Sequence, residues 1–540
     1  MTQAEPAPPV LVVGAGPTGL TAAIELARLD VPVRIIDRAA EPATTSRALA
    51  VQARTLELLH PRGVAAEMLR LGNRATATTL YGRGKRLASV ELHRIPSRYN
   101  HVLLLEQSET ERLLRERLLR HGVRVERGVE LVSCDEDTAE DVRVVLAGPG
   151  GEVEPVRAAQ LIAADGAHSS VRRALGLSFD GASLPQRYLL ADLEIDGEVP
   201  RDQLSVFLAA DGFVAAFPLP GGRFRCMAVD PRPEGEGRPA PELGDLQAIC
   251  DHVLPMPVRL RGMRWSSRFR INSRHLDELR HGQVFFGGDA AHVHSPAGGQ
   301  GMNTGIQDMI NLCWKLALVR GGQAGPELLD TYQTDRFPLI DALVRSTDTA
   351  TRVFNSTNPV LHQVFTRIAP IVLGVGTAQR TAAATVGQVA SSYRGSPLAA
   401  RGGGIGRLRA GDRVPDLDVL PLGADPLGGG GEPTRLSELL DLGRCTLVLT
   451  DPAAELADLA EQVRPWRDVL VLRHLAIPAD QPALRGTDAA IARDLTSRPG
   501  ALLIRPDGYL AAAARTADPA PLTGWLWTWL RASTGSRAAR

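Results

Sequence analysis

Val10-Leu11-Val12-Val13-Gly14-Ala15-Gly16-Pro17-Thr18-Gly19 decides the fold, together with the helical pattern of Leu20, Ile24 and Ala27 and the run Val33-Arg34-Ile35-Ile36-Asp37. A β-rich run, a glycine bend, a helix and a second β-run ending in an acid make a βαβ unit with the dinucleotide fingerprint in its required setting. Gly14 makes the tight turn, Gly16 lets backbone approach a pyrophosphate, and Gly19 permits close packing of helix on strand. Asp37 lies eighteen residues past Gly19, close to the roughly 20 expected of the acid that binds an adenosine ribose. A carboxylate there disfavours a 2′-phosphate, so the expected resident is FAD or NAD. Arg38, next in the chain, joins the candidate cofactor contacts.

Two remote stretches make a similar offer. Leu161-Ile162-Ala163-Ala164 reads as a buried strand ending at Asp165-Gly166, and serines at 169 and 170 can cap a helix continued by Val171 and Leu175. Val284-Phe285-Phe286 feeds Gly287-Gly288-Asp289-Ala290-Ala291-His292. Pro296-Ala297-Gly298-Gly299-Gln300-Gly301-Met302-Asn303 then leads into an amphipathic segment from about Ile306 to Val319. Glycines leave room for bare backbone beside a planar, phosphate-bearing ligand, and helix starts offer it N–H groups. Asp289 is placed to hydrogen-bond a ribose or ribityl hydroxyl. Between the bends, Arg47 and Arg54 are candidates for pyrophosphate contacts, with surface charges at a helix start as the equal alternative. Gln107 is a candidate ligand contact just ahead of Ser108-Glu109-Thr110-Glu111, a capping box that would open a helix over Arg112–His121.

The chain has 540 residues, which predicts two to four domains. A formal net charge of +0 gives no electrostatic argument for a nucleic-acid or anionic-membrane partner, and the scattered arginines read as solvated faces. The five cysteines lie far apart with no CxxC pair, which suits a reducing, cytoplasmic setting and offers no zinc site or disulfide framework. Met1–Pro9 lacks a basic signal-peptide start, and no apolar run reaches the roughly 18 residues that would span a bilayer.

From Leu177 to Arg270 the pattern turns to β-alternation: Leu189–Ile195, Ser205–Leu208, Phe213–Pro218, Arg223–Val229 and Met263–Phe269, with a helix at about Glu242–Val253. Set between two cofactor-like turns, this sheet is the natural lid over a reacting ring. Its aromatics (Phe207, Phe213, Phe217, Phe224, Trp265) are more often core than a substrate box. After Val319 the chain is helical, clearest over Leu328–Val344. Tyr393–Gly406 then reads as a linker. A second βαβ-like pattern follows: Thr446–Leu449, a helix Ala453–Val463, Val469–Leu472 and Leu502–Ile504. In the closing Trp525–Leu530 segment, Trp525, Trp527 and Trp529 read as packing residues.

The three bends, in this order, resemble the group A FAD-dependent aromatic hydroxylases, the family of para-hydroxybenzoate hydroxylase and phenol hydroxylase. The similarity is to the branch that hydroxylates aromatic polyketides and hydroxyphenylpropionates. It implies an α/β fold: a Rossmann-like FAD-binding domain (residues 1–176 and 271–395), an inserted β-sheet substrate domain (177–270) and a thioredoxin-like domain (396–540) lacking CxxC, for a structural or dimer-forming role. Gly14, Gly16, Gly19 and Asp37 would hold the ADP half of FAD, with Arg47 and Gln107 near the pyrophosphate and ring. Asp165 and Gly166 would serve both FAD and a visiting NADPH (or NADH). Asp289 would take the ribityl or pyrophosphate side, and Gly301, Met302 and Asn303 the pyrimidine ring, with Gly299 among the cofactor contacts. Pro296, His292 and Arg47 are the candidate catalytic residues; Phe217, Phe224, Pro296 and Gly298 are the candidate substrate contacts. His294 shares with His292 the candidacy for a phenol base, against a histidine held by backbone hydrogen bonds. The implied reaction is NADPH- and O2-dependent hydroxylation of a phenolic, polyketide-type substrate through a C4a-hydroperoxyflavin, with water excluded. Implied partners are a small aromatic molecule and a second copy of the chain. Baeyer–Villiger oxygenation, or a flavin protein that sequesters ligand without turnover, is the alternative. A flavin halogenase is disfavoured because its Trp-x-Trp-x-Ile-Pro segment is missing.

Overall fold

The computed structural model describes residues 7–44, 48–82, 84–135, 141–209, 212–232, 240–296, 298–354, 375–422, 432–450, 456–515 and 518–533. Strands β1 (Val10–Val13), β2 (Val33–Asp37), β3 (Gln160–Ala163) and β4 (Val284–Phe286) carry the first layer. They sit in one six-stranded sheet in the order Arg280–His281, β4, β3, β1, β2, Val125–Arg127. β1 pairs in parallel with both β2 and β3, and β3 with β4. Every side chain of β1, β3 and β4 is buried, as a parallel sheet covered on both faces requires. Helix α1 (Pro17–Arg28) packs along α2 (Gly301–Arg320), and α3 (Glu327–Phe354) lies against α2.

α2 begins at Gly301, five residues ahead of the predicted amphipathic run, and it is not amphipathic in effect. Gln307, Asp308, Asn311 and Lys315 are buried along with its apolar residues. In α1 the buried Glu25 is gripped by Arg62 at 2.7 Å and Arg28 at 2.8 Å. Burial alone would raise this carboxyl, but the two guanidiniums outweigh it and hold it at about 2, against an ordinary 4.5. A folded-state pKa depressed in this way gives stability that is present above 4.5 and lost as pH falls through about 2. It amounts to about 3 kcal/mol. Thermal melts across that window should show wild type losing about that much more than Glu25→Gln, which cannot titrate there; parallel losses would refute the assignment.

The second layer is an eight-stranded sheet. Its strands Asp180–Asp196, Gln203–Leu208, Phe213–Pro218, Phe224–Val229 and Arg259–His275 cover the expected β region, two of them much longer than predicted. It also recruits Ala77–Gly82 and Lys85–Glu91, through parallel pairing of Gln203–Leu208 with Ala77–Gly82. Strand alternation divides its residues. Phe207, Ala216, Phe224 and Cys226 share a core with Leu246 and Cys250 of the helix Leu243–Val253. Tyr188, Phe213, Met227 and the half-buried Phe217, Trp265 and Phe269 lie in a separate cluster.

The third layer is a mixed sheet in the order Thr434–Arg435, Asp418–Pro421, Leu470–Ala476, Cys445–Leu449, Ala501–Ile504, Leu510–Ala514. Cys445–Leu449 runs parallel to Leu470–Ala476 and antiparallel to Ala501–Ile504, which pairs antiparallel with Leu510–Ala514. Helices Leu456–Val463 and Gly486–Ser497 fill the connections, and Ala520–Trp529 closes the chain as a helix. This βαβαββα order is thioredoxin-like. Cys445 is buried, as are the other four cysteines, and none of the five is in a disulfide.

Four sequence expectations need correction. Ser108 does not cap a helix: the helix is Gln107–Arg120 with Glu106 at its N-cap, and Glu106 instead meets Arg223 at 3.1 Å. Tyr393–Gly406 is no free linker, because Tyr393 and Leu398 are buried and Trp525 Nε1 donates to the Leu398 carbonyl at 2.9 Å. Trp527 is 63% exposed, since a helix rather than a strand carries the three tryptophans. The arginines are not all solvated: Arg54, Arg62, Arg225, Arg336, Arg413 and Arg505 are buried. Among the described residues no helix is long and apolar enough to cross a membrane, and no group of three or more His, Cys, Asp or Glu could hold a metal ion.

Candidate active site

Because β1, β3 and β4 are adjacent and parallel, the three glycine bends all leave the carboxyl edge of one sheet, where open α/β sheets bind ligands. They touch. Gly14, at φ +102°, lies so close to the Ala164 carbonyl that a Cβ there would overlap it, which brings the first bend against the second. A Cβ on either Gly288 or Gly305 would overlap the Thr18 side chain, which brings the third bend and α2 against the start of α1. Arg172 ties the second bend to the third, donating to the Ala167 carbonyl at 2.7 Å and the Ala290 carbonyl at 2.9 Å, with its guanidinium 3.8 Å from the Phe179 ring centre.

Gly16 and Gly19 sit in contrasting surroundings. A Cβ on Gly19 would overlap the Gly14 carbonyl oxygen, so glycine there is needed for packing. Gly16, the N-cap of α1, has ordinary extended backbone (φ −75°, ψ −177°) and open space around its Cβ position. Its side chain-free surface is therefore available to a ligand. Asp37 accepts from Ala15 N at 2.7 Å and Ala39 N at 2.8 Å, bracing the first bend, while Arg38 is exposed. Asp165 accepts from Ser170 N at 2.6 Å and Ser170 Oγ at 2.9 Å through Oδ2, whereas its Oδ1 is buried with no hydrogen-bond partner. Gly166, at φ +83°, also faces open space. Ser169 caps the short helix Ser170–Ala174 through Arg172 N at 3.0 Å.

At the third bend, Asp289 is exposed, and the N-cap of α2, Gln300, makes no side-chain cap bond. Neither α1 nor α2 carries an acid in its first turn, so both helix starts keep their positive ends for a ligand. The loop is built from inside. Gly299 N donates to the Pro296 carbonyl at 2.9 Å, leaving Pro296 exposed. The Asn303 amide donates to Ala50 O at 2.8 Å and Gly299 O at 2.9 Å and accepts from Gln52 N at 2.8 Å. Gln52 in turn donates to Gly298 O at 2.8 Å, and its Oε1 is buried without a partner. Met302 is half-buried against the main core. Gln107 contacts Ala48 and donates to Glu111 Oε1 at 2.8 Å. Arg47 lies outside the described residues.

Three candidates move away from the cleft. His292 is 1% exposed, with Nε2 2.8 Å from the buried Asp308, so it belongs to the scaffold rather than to the reacting groups. Phe224 is fully buried in the core beneath the helix Leu243–Val253, because it shares a strand face with Cys226 and Ala228. Arg54 is buried and donates to the Asp507 carbonyl at 2.8 Å, away from any pyrophosphate. His294 holds the Ser295 carbonyl at 2.7 Å through Nδ1. Burial and the neighbouring His292 lower its pKa to about 4, so its ring is neutral at pH 7.

Arg225 was not singled out from the sequence. It is buried and grips Asp192 with two bonds, at 2.7 and 2.8 Å. Through Nη1 it also donates to the Ala48 carbonyl at 3.3 Å, joining the eight-stranded sheet to the loop beside Gln107.

FAD fits these residues. The open glycines, the two uncapped helix starts and the unpartnered Asp165 oxygen match a ligand with a pyrophosphate, a chain of hydroxyls and a pyrimidine edge that becomes negative on reduction. The comparisons agree. A family described as FAD binding domain matches residues 8–347, and one described as aromatic-ring hydroxylase, C-terminal, matches residues 408–533. The 6-methylpretetramide 4-monooxygenase of Streptomyces rimosus is 38% identical over 96% of this chain and 93% of its own. The pentachlorophenol 4-monooxygenase of Sphingobium chlorophenolicum is 32% identical over 94% of this chain and 93% of its own. The solved structure of the OxyS anhydrotetracycline hydroxylase from Streptomyces rimosus superposes with a TM-score of 0.77 at 29% identity, covering 97% of this chain and 99% of that one.

Proposed function

Since the chain belongs to the FAD-dependent aromatic hydroxylases, flavin monooxygenases that use O2 and a nicotinamide reductant, we propose that its substrate is a polyketide-type phenol held between the glycine loop and the eight-stranded sheet. Bound there, FAD would supply the redox and oxygen-activating chemistry of the hydroxylation. What the protein adds is position and electrostatics. The start of α1 would receive the pyrophosphate, with Asp37 toward the adenosine ribose. Asp165 Oδ1 would accept from a hydroxyl, and the start of α2 would stabilise negative charge at the pyrimidine edge. Pro296 and Gly298 would border the reacting edge.

The observation that carries the substrate reading is the apolar aromatic surface of Phe217, Trp265 and Phe269, half-buried on the strand face that Arg225 ties to the Ala48 loop. Such a surface suits a fused-ring phenol and excludes water from the oxygen-transfer step. The greater identity to the 6-methylpretetramide enzyme than to the pentachlorophenol enzyme points the same way. Polycyclic phenols should stimulate NADPH oxidation by the yellow holoenzyme well above its basal rate, with one oxygen atom from labelled O2 in a new phenolic hydroxyl. A lactone or ester product would assign Baeyer–Villiger chemistry instead. Stimulation by simple monocyclic phenols alone would overturn the polyketide assignment.

A further inference from the structure

The thioredoxin-like sheet lacks a redox pair, yet one part of it reaches the back of the flavin seat. The hairpin tip between Ala501–Ile504 and Leu510–Ala514, Arg505-Pro506-Asp507-Gly508-Tyr509, is buried against α2 and α3. Arg505 donates to Asp335 of α3 at 2.7 Å, and Asp507 Oδ2 accepts from Asn311 of α2 at 3.1 Å. Asp335 also accepts from Asn311 at 2.9 Å and Lys315 at 2.8 Å. Tyr509 packs against Tyr393 with ring centres 4.1 Å apart and planes tilted by 36°.

From Tyr393 the connection runs inward. Its hydroxyl accepts from Arg336 Nη1 at 3.0 Å, and Arg336 Nε donates to Asp308 Oδ1 at 2.7 Å. The other oxygen of Asp308 accepts from Gly288 N at 3.1 Å and meets His292 Nε2 at 2.8 Å. These two contacts bracket Asp289. Asp308, Arg336 and His292 are all buried, so a broken link exposes an uncompensated charge rather than returning one to water.

We infer that Asp308 and Arg336 are positioning residues for the Gly288–His292 bend, and that the hairpin tip of the thioredoxin-like unit holds them in register, making that unit part of the flavin seat. The inference concerns the seat and is independent of which phenol is oxidised. It separates two roles for the C-terminal unit. A merely stabilising appendage would lower melting temperature when weakened and leave flavin affinity and coupling unchanged. A positioning unit changes affinity and coupling only along this seam.

The full-length holoenzyme tests it with four variants. Tyr393→Phe keeps the ring contact but removes the acceptor for Arg336, and Asp507→Asn weakens the hairpin contact. Arg336→Lys removes the fork while keeping the charge. Leu475→Ala, in the core cluster formed by C-terminal residues alone, is the control. Dissociation constants for FAD by fluorescence titration, melting temperature of the apoprotein, and H2O2 released per NADPH are read for each. Expected are a roughly tenfold loss of FAD affinity with increased H2O2 release in Tyr393→Phe and Asp507→Asn, and a larger loss in Arg336→Lys. Leu475→Ala should melt lower yet bind FAD as wild type does. Wild-type affinity in all three seam variants would overturn the inference. So would an equal loss of affinity in Leu475→Ala, which would reduce the effect to general stability.

Discussion

Gly16→Ser is expected to fold as well as flavin-free wild type and to purify nearly colourless. The backbone at Gly16 lies in ordinary extended space, and a Cβ there meets no protein atom within 4 Å. Nothing in the protein itself asks for glycine. Serine is as good an N-cap as glycine or better by a few tenths of a kcal/mol, because its hydroxyl can accept from the first-turn N–H groups of α1. Those are the N–H groups that a pyrophosphate would use. The side chain therefore fills the approach and satisfies the donors at once. Displacing a doubly charged group from a helix start should weaken FAD binding by at least ~100-fold, or about 3 kcal/mol. The comparison must be with apoprotein, since bound FAD stabilises wild type by mass action. Gly19→Ala gives the contrast: its Cβ would overlap the Gly14 carbonyl, so that variant should fail in folding before any question of flavin arises. A Gly16→Ser protein that retains a full complement of FAD would remove the pyrophosphate from this helix start.

The difference between Gly16 and Gly19 also shows what the chain discloses in one dimension. The contrast was legible because a βαβ unit is local: strand, turn and helix follow in order, and the Gly14 carbonyl that Gly19 packs against lies only five residues before it. The convergence of the three bends was legible for the same reason at one remove, since strand-ending turns in a parallel sheet share an edge. The eight-stranded sheet was only partly so. Its strands alternate plainly, but the pairing of Ala77–Gly82 with Gln203–Leu208 joins segments more than a hundred residues apart, and no spacing encodes that. Buried charge was invisible. Asp308, Asn311 and Lys315 fall at helical spacing and look like a wet face; they are dry because the hairpin tip and α3 cover them. Arg225, Arg336 and Arg505 carry no mark in sequence that separates them from the exposed arginines, since each is defined by a partner supplied by tertiary packing. His292 was drawn to the reacting centre by its place in the loop, yet the carboxylate that claims it lies sixteen residues on.

Arg225→Met should damage the protein twice, and the two kinds of damage can be pulled apart. The first is energetic. Asp192 and Arg225 are both buried and face one another across paired strands, so removing the guanidinium leaves a carboxylate without its two short bonds. Losses of about 3–5 kcal/mol are usual for such a break, a large share of the stability of any single domain. The second is positional. The same guanidinium reaches the Ala48 carbonyl, a contact across which the sheet is held to the loop carrying Gln107 on its other side. The double variant Asp192→Leu/Arg225→Met replaces the ion pair with apolar volume, which in other buried pairs restores most or all of the stability. It cannot restore the bond to Ala48. Melting temperature should therefore recover in the double variant, while the H2O2 released per NADPH stays several-fold above wild type in single and double variants alike, because a sheet less firmly held admits water to the reacting edge. If coupling recovers together with stability, Arg225 serves the sheet alone. If the single variant melts as wild type does, the ion pair is not the buried clamp its geometry describes.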